Sequence, residues 1–239
     1  MRMDGHSHVG YVRARNEDTI AWDERLGIAL VADGMGGHPA GNVASRTAVD
    51  CVLAAVRGER RDASALVANG DAGRYIELAH HALMSHGRHH PETQGMGTTL
   101  VLLALAPPHG VVAHVGDSRA YRLRGGWLER LTSDDNAAQR ALDQGLITPD
   151  QARRSPERHQ LVQALGIGSP EPHVTPIEVG DDDVFLLCTD GLNGELPDRE
   201  IQELMNDGID DLSSTARALV RGALDRGGHD NVSVVLARA

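Results

Sequence analysis

Four times in this 239-residue chain an apolar, β-rich run meets an aspartate. Ile28-Ala29-Leu30-Val31-Ala32 ends at Asp33-Gly34, and Val184-Phe185-Leu186-Leu187-Cys188 ends at Thr189-Asp190-Gly191. Val111 to Val115 leads into Gly116-Asp117, and Asp230-Asn231 opens the run from Val232 to Ala237. A buried strand is a rigid support, so a carboxylate just beyond it is held at the rim of a sheet. Several carboxylates brought together repel one another unless a cation intervenes. Hard divalent cations such as Mg²⁺ and Mn²⁺ suit such a cluster because they prefer oxygen ligands. A glycine beside the aspartate lets a backbone carbonyl approach the ion, and the chain has no Cys/His spacing that favours zinc. Taken singly, an Asp-Gly after a strand is a turn, and spacing alone leaves the convergence of the four open.

The rest of the chain supplies the layers that such strands need. Val49, Val52, Leu53 and Val56 recur at helical spacing after the glycine-rich Gly34–Gly41 stretch, and a second helix is expected over Tyr75 to His86. Thr98 to Ala106 and Val111 to Val115 read as strands parted by Pro107-Pro108-His109-Gly110. Ala120 to Arg124 and Trp127 to Leu131 flank Gly125-Gly126, a two-residue hairpin signal. From Ala137 to Gly166 the pattern changes to short, charged helices, one opened by the capping-box spacing Thr148-Pro149-Asp150-Gln151. That segment reads as a surface excursion bordering a site. A helix with Leu212, Ala216, Leu219, Val220 and Ala223 on one face precedes the last strand. The order implies an α+β fold of sheet layers covered by helices, in one domain over residues 1–239.

Charge and composition remove other classes. The net charge of −11 argues against nucleic acid as a partner. No apolar run approaches the ~20 residues of a membrane span, and the first ten residues lack the features of a secretory signal. The two cysteines, Cys51 and Cys188, match no metal spacing and read as small core residues of a chain in a reducing cytoplasm. The histidines at 80, 81, 86, 89 and 90 read as a solvated helix face and loop. Arg13-Ala14-Arg15-Asn16-Glu17-Asp18 joins guanidinium and carboxylate groups, a mixture a phosphoryl substrate requires, although a solvated turn has the same composition.

Seven blocks, in order along nearly the whole chain, resemble the metal-dependent serine/threonine protein phosphatases (the PPM or type 2C family) in their compact bacterial form. They are Val12–Asp18, Val31–His38, Gly95–Thr99, Val115–Arg119, Gln163–Gly166, Cys188–Leu192 and Gly228–Val232. The resemblance implies a four-layer αββα sandwich of two antiparallel sheets flanked by helices. It implies hydrolysis of phosphoserine and phosphothreonine by metal-activated water, with two core Mn²⁺ or Mg²⁺ ions and a third, weaker one. By this resemblance Asp33, Asp190 and Asp230 hold the first ion. Asp33 and the Gly34 carbonyl reach the second, with Glu17 and Asp18 near it, and Asp117 and Asp190 hold the third. Arg13 matches the phosphate-binding arginine, His38 is a candidate proton donor, and residues near 137–160 match a flap that influences substrate choice. The implied partners are phosphorylated proteins and a cognate Ser/Thr kinase, with no nucleic acid or membrane, for a cytoplasmic monomer.

Three departures from the family's blocks stand out. Ser133-Asp134-Asp135-Asn136 replaces a common Asp-His-Ser run, Gln163 stands where arginine is frequent, and Asn42 replaces a common glutamate. None removes a metal ligand, and the first two bear on the flap. A catalytically silent phosphoprotein-binding module on the same fold is the competing reading, against which the intact acidic set argues. Another is a dedicated regulator that dephosphorylates an anti-sigma antagonist.

Overall fold

The computed structural model describes residues 1–35 and 40–239. The strands are β1 (Arg2–His8), β2 (Asp18–Asp23), β3 (Ile28–Met35), β4 (Gly97–Thr98), β5 (Leu100–Ala106), β6 (His109–Val115), β7 (Arg119–Arg124), β8 (Trp127–Arg130), β9 (His173–Glu178), β10 (Val184–Cys188) and β11 (Val232–Arg238). The helices are α1 (Gly41–Gly58), α2 (Ala63–Asn69), α3 (Ala72–His89), α4 (Ala137–Asp143), α5 (Pro149–Arg154), α6 (Asp190–Asn193), α7 (Asp198–Gly208) and α8 (Leu212–Asp225). One sheet runs β1-β11-β10-β7-β8 and the other β2-β3-β5-β6-β9, with β4 paired to β3. Every pairing is antiparallel.

Side-chain alternation divides the core into three. On β3, Ile28, Leu30 and Ala32 face α1 and α3, where they meet Val49, Val52, Tyr75 and Ile76. Ala29 and Val31 point the other way, against Phe185, Leu187 and Val235 of the opposite sheet. On β10, Leu186 and Cys188 face α7 and α8 through Ile201, Met205, Leu219 and Val220. Strands covered on both faces must be apolar at every position, which explains the unbroken runs that end at Asp33 and Asp190. The result is a helix–sheet–sheet–helix sandwich.

The expected helices and hairpin form where periodicity and turn chemistry place them. Gly125 and Gly126 both have positive φ, 56° and 84°, as a two-residue hairpin turn of this type requires. The Thr148–Gln151 capping box is made in both directions. Several elements went unread, the one-turn α6 among them. β1 (Arg-Met-Asp-Gly-His-Ser-His) and β9 (His-Val-Thr-Pro-Ile-Glu) are edge strands, each paired on one side only, so neither carries a long apolar run. The short α2 and the charge-rich α7 bury only a few residues each. Cys188 is buried as expected, whereas Cys51 is only half-buried because it lies at the edge of the α1 face. Among the described residues, no helix is long and apolar enough to cross a membrane.

Candidate active site

The central strands of the two sheets bring their ends together at one rim of the sandwich. There a cavity of about 970 Å³ is lined by Arg13, Glu17, Asp33, Gly34, Asp117, Asp190 and Asp230, among others. Asp33 lies on β3, directly opposite Asp18 on β2 in the strand register. Asp190 begins α6 as the chain leaves β10, and Asp230 sits just before β11. Asp117 occupies the turn between β6 and β7. Six acidic side chains from five separate segments of the chain thus share one neighbourhood.

Their ionisation is perturbed accordingly. Burial first, then repulsion from Asp18, Asp190, Asp117 and Asp230, holds the Asp33 carboxyl well above the usual carboxylate range. Asp18 is pushed up to about 7, again by burial first, although the nearby Ser233 and Thr189 hydroxyls oppose the shift. Its Oδ2 accepts from Thr189 Oγ1 at 2.9 Å, while Oδ1 is buried with no partner among the described residues. Asp117 is raised by burial, then by Asp190 and Asp134. Burial also raises Glu17, against the pull of Arg13 and Arg15.

Arg13 donates from Nη2 to Asp230 Oδ2 at 2.6 Å, which raises the guanidinium pKa further. The expected phosphate-binding cation and an expected metal ligand are therefore ion-paired. The other oxygen of Asp230 accepts the Asn231 amide at 2.8 Å. Backbone packing around Gly34 is close. A Cβ at Gly34 would collide with the Gly41 carbonyl and lie 2.6 Å from Glu17 O. One at Gly41 would collide with Glu17 Oε2 and lie 2.9 Å from Gly34 O. Two glycines thus let the Glu17 side chain and the Gly34 carbonyl share one corner of the cavity.

Several residues that no motif argument had assigned a role hold these groups in place. Asn231, 5% exposed, donates from Nδ2 to Val9 O at 2.8 Å and Arg15 O at 2.9 Å, and its Oδ1 accepts the Glu17 amide at 2.8 Å. It ties the loop carrying Arg13 and Glu17 to the start of β11. Thr99 Oγ1 accepts from the Asp33 amide at 2.9 Å and bonds Ser118 Oγ at 2.7 Å, linking the backbones beside Asp33 and Asp117. Their presence inside the sequence blocks was the available signal. His38 lies outside the described residues.

The donor set fits a hard divalent cation: all the side chains are carboxylates, and one buried oxygen lacks a partner. Among the described residues no three of these groups close into a ready-made coordination shell, so they ring the cavity rather than meet.

Beside this cavity, and sharing Asp117, His159 and Asp190 with it, lies a second of about 710 Å³. Residues of the 137–160 excursion form one wall, and Asn193 to Arg199 the other. Arg130, Arg158, Arg199 and Arg226 line it. His159 Nδ1 stands 3.7 Å from Asp190 Oδ2. Of the five histidines at 80–90, His80 and His86 are half-buried rather than solvated: His80 Nδ1 accepts the Gly166 amide at 3.1 Å, and the His86 ring stacks on His90.

Comparison with known proteins agrees with this geometry. The family model described as Protein phosphatase 2C matches residues 4–225. The serine/threonine protein phosphatase PstP of Mycobacterium tuberculosis is 38% identical over 237 residues; the match covers 99% of this chain and 45% of that longer protein. The serine/threonine phosphatase stp of Listeria monocytogenes is 33% identical over 240 residues, 99% of this chain and 95% of its own. The crystal structure of the PstP catalytic domain in complex with two manganese ions superposes with a TM-score of 0.86 at 36% identity, covering 99% of this chain and 97% of that one. With the two-sheet sandwich and the shared rim of aspartates, these matches establish that the chain belongs to the protein phosphatase 2C family.

Proposed function

We propose that this protein is a metal-dependent phosphatase that hydrolyses phosphoserine and phosphothreonine esters on proteins. The observation that carries the proposal is the gathering of Glu17, Asp33, Asp117, Asp190 and Asp230 around one cavity beside Arg13, with Asp18 buried next to Asp33. Asp33, Asp190 and Asp230 would hold one Mn²⁺ or Mg²⁺. Asp33 and the Gly34 carbonyl, with Glu17 and Asp18 close by, would hold a second, and Asp117 with Asp190 a weaker third. Bound cations supply positive charge to the phosphate oxygens and lower the pKa of a water that attacks phosphorus.

The chain's own part is orientation. Only Nη2 of Arg13 is engaged among the described residues. Nε and Nη1 are left to donate charge-assisted hydrogen bonds to phosphate oxygens. The adjoining groove gives the polypeptide on one side of the phosphoresidue a place to lie, with the 137–160 flap as its wall. That room favours a protein over a small phosphate ester as substrate. No residue need form a covalent phosphoenzyme, and Cys188, pushed up to about 12 by burial, is unsuited to be a nucleophile. His38 is the proposed proton donor to the departing serine or threonine oxygen. The protein would act as a single-domain monomer in the cytoplasm, in signalling that opposes a Ser/Thr kinase.

The test is phosphate release from a phosphothreonine peptide with Mn²⁺, abolished by EDTA. Asp190→Ala should lower kcat/KM by about a hundredfold while leaving the far-ultraviolet circular dichroism unchanged. Metal-independent turnover, or undiminished Asp190→Ala activity, would overturn the proposal. Binding of phosphopeptide without turnover would establish the silent binding module instead.

A further inference from the structure

Two departures from the family's sequence blocks, Asp135 and Gln163, meet in the structure. Asp135 is 7% exposed, and both its oxygens are engaged. Oδ2 accepts the Gly116 amide at 2.9 Å, and Oδ1 accepts from Gln163 Nε2 at 3.1 Å and His173 Nε2 at 2.9 Å. Its backbone is equally occupied: the Asp135 amide donates to Gly116 O at 3.0 Å, and its carbonyl accepts the Val162 amide at 2.8 Å. One buried residue therefore joins four segments. These are the turn carrying Asp117, the point where the flap departs, the point where it returns, and the edge strand β9.

The surroundings reinforce the joint. Asn136 pairs with Leu161, and the Ala137 amide donates to Gln160 O at 2.9 Å, which closes the neck of the flap. Gln163 Oε1 accepts the Glu171 amide at 2.8 Å, so the glutamine is held at both ends of its amide. The His173 ring stacks on His114, with centroids 4.9 Å apart. His114 is itself buried and donates from Nε2 to Ser133 O at 2.8 Å. A buried carboxylate is unfavourable unless its lone pairs are satisfied, and an apolar side chain would fill the space more cheaply. What the carboxylate adds is direction: three donors fix three segments at set angles.

We infer that Asp135, with Gln163 and His173, is a clamp that fixes the neck of the flap to the Gly116-Asp117 turn and so sets the flap's orientation toward the bound substrate chain. Asp135 is a positioning residue, lining neither cavity. The inference rests on the phosphatase proposal for its substrate, and the clamp itself can be read without turnover.

The lead variant is His173→Ala, because His173 lies outside both cavities and half of its side chain is exposed, 47%. Hydrogen exchange should quicken at residues 137–160 while the amides of β5 and β6 keep their protection. The ratio of kcat/KM on a phosphothreonine peptide to that on p-nitrophenyl phosphate should fall about fivefold, through KM. Asp135→Asn should give the same pattern more strongly; if it does not fold, His173→Ala decides. An unchanged ratio, or both substrates falling in parallel with the melting temperature, overturns the clamp. So does unchanged exchange in the flap. Failure of the wild type to hydrolyse either substrate would instead overturn the phosphatase proposal, and the exchange measurement would still report on the clamp.

Discussion

Replacing Asp18 by asparagine should stabilise the EDTA-treated protein while impairing its catalysis. Asp18 faces Asp33 across the β2–β3 pair, and its carboxyl is pushed up to about 7 from 3.8, chiefly by burial. A shift of about three units corresponds to roughly 4 kcal/mol between the neutral and ionised forms. The sign follows from the direction of the shift. A group whose folded pKa exceeds its unfolded value contributes fully below the unfolded pKa, and that contribution is lost as pH rises through the folded one. The wild type should therefore lose stability between about pH 4 and pH 7 from this group. Asparagine has nearly the same shape, retains an oxygen for the Thr189 hydroxyl, and carries no charge. Allowing for relaxation around the ionised aspartate, about half the shift should appear as stability, ~2 kcal/mol, or about 4–8 °C in melting temperature for a domain of this size. The assay is thermal unfolding with EDTA across this pH range. Added Mn²⁺ should raise the wild-type melting point more than that of Asp18→Asn, because cations replace the repulsion only where the carboxylate is present. A variant that melts at or below the wild type with EDTA at about pH 7.5 would refute the reasoning, since burial and repulsion would then not be what raises this carboxyl.

Other substitutions probe the scaffold around the carboxylates. Asn231→Ala leaves Val9 O, Arg15 O and the Glu17 amide without their partner, and should cost about 2–4 kcal/mol in denaturant unfolding while lowering kcat/KM. Gly41→Ala forces a Cβ against Glu17 Oε2 and the Gly34 carbonyl; Mn²⁺ affinity by calorimetry should fall about tenfold, with a stability loss of about 1–3 kcal/mol. Arg158 lines the groove and, among the described residues, pairs with no carboxylate. Arg158→Gln should lower the ratio of phosphopeptide to p-nitrophenyl phosphate efficiency about fivefold when the peptide is acidic beside its phosphothreonine.

Part of the site was legible because its signals are local. An apolar run that ends at Asp-Gly places a carboxylate at a strand end whatever the partners of that strand, and the ordered blocks tied Asp33, Asp117, Asp190 and Asp230 to one chemistry. β1 and β9 escaped because an edge strand needs only one partner and half a buried face, so β1 buries little beyond Met3 and β9 tolerates Pro176. Asn231 and Asp135 were marked only by their place in or against the sequence blocks, and their roles stayed hidden because each rests on a bond to a residue 216 or 38 positions away.

By itself, the sequence determined the layers and the side-chain chemistry at their rim: which runs are buried, which turns are tight, and that carboxylates end the central strands. These follow from periodicity and side-chain type, which act over a few residues. Only the tertiary structure decided which carboxylates share a cavity, that Arg13 pairs with Asp230, and that the two departures Asp135 and Gln163 are hydrogen-bonded to each other. Those outcomes depend on strand register and sheet-on-sheet packing, in which residues at opposite ends of the chain come within hydrogen-bonding distance. No local pattern encodes such a meeting.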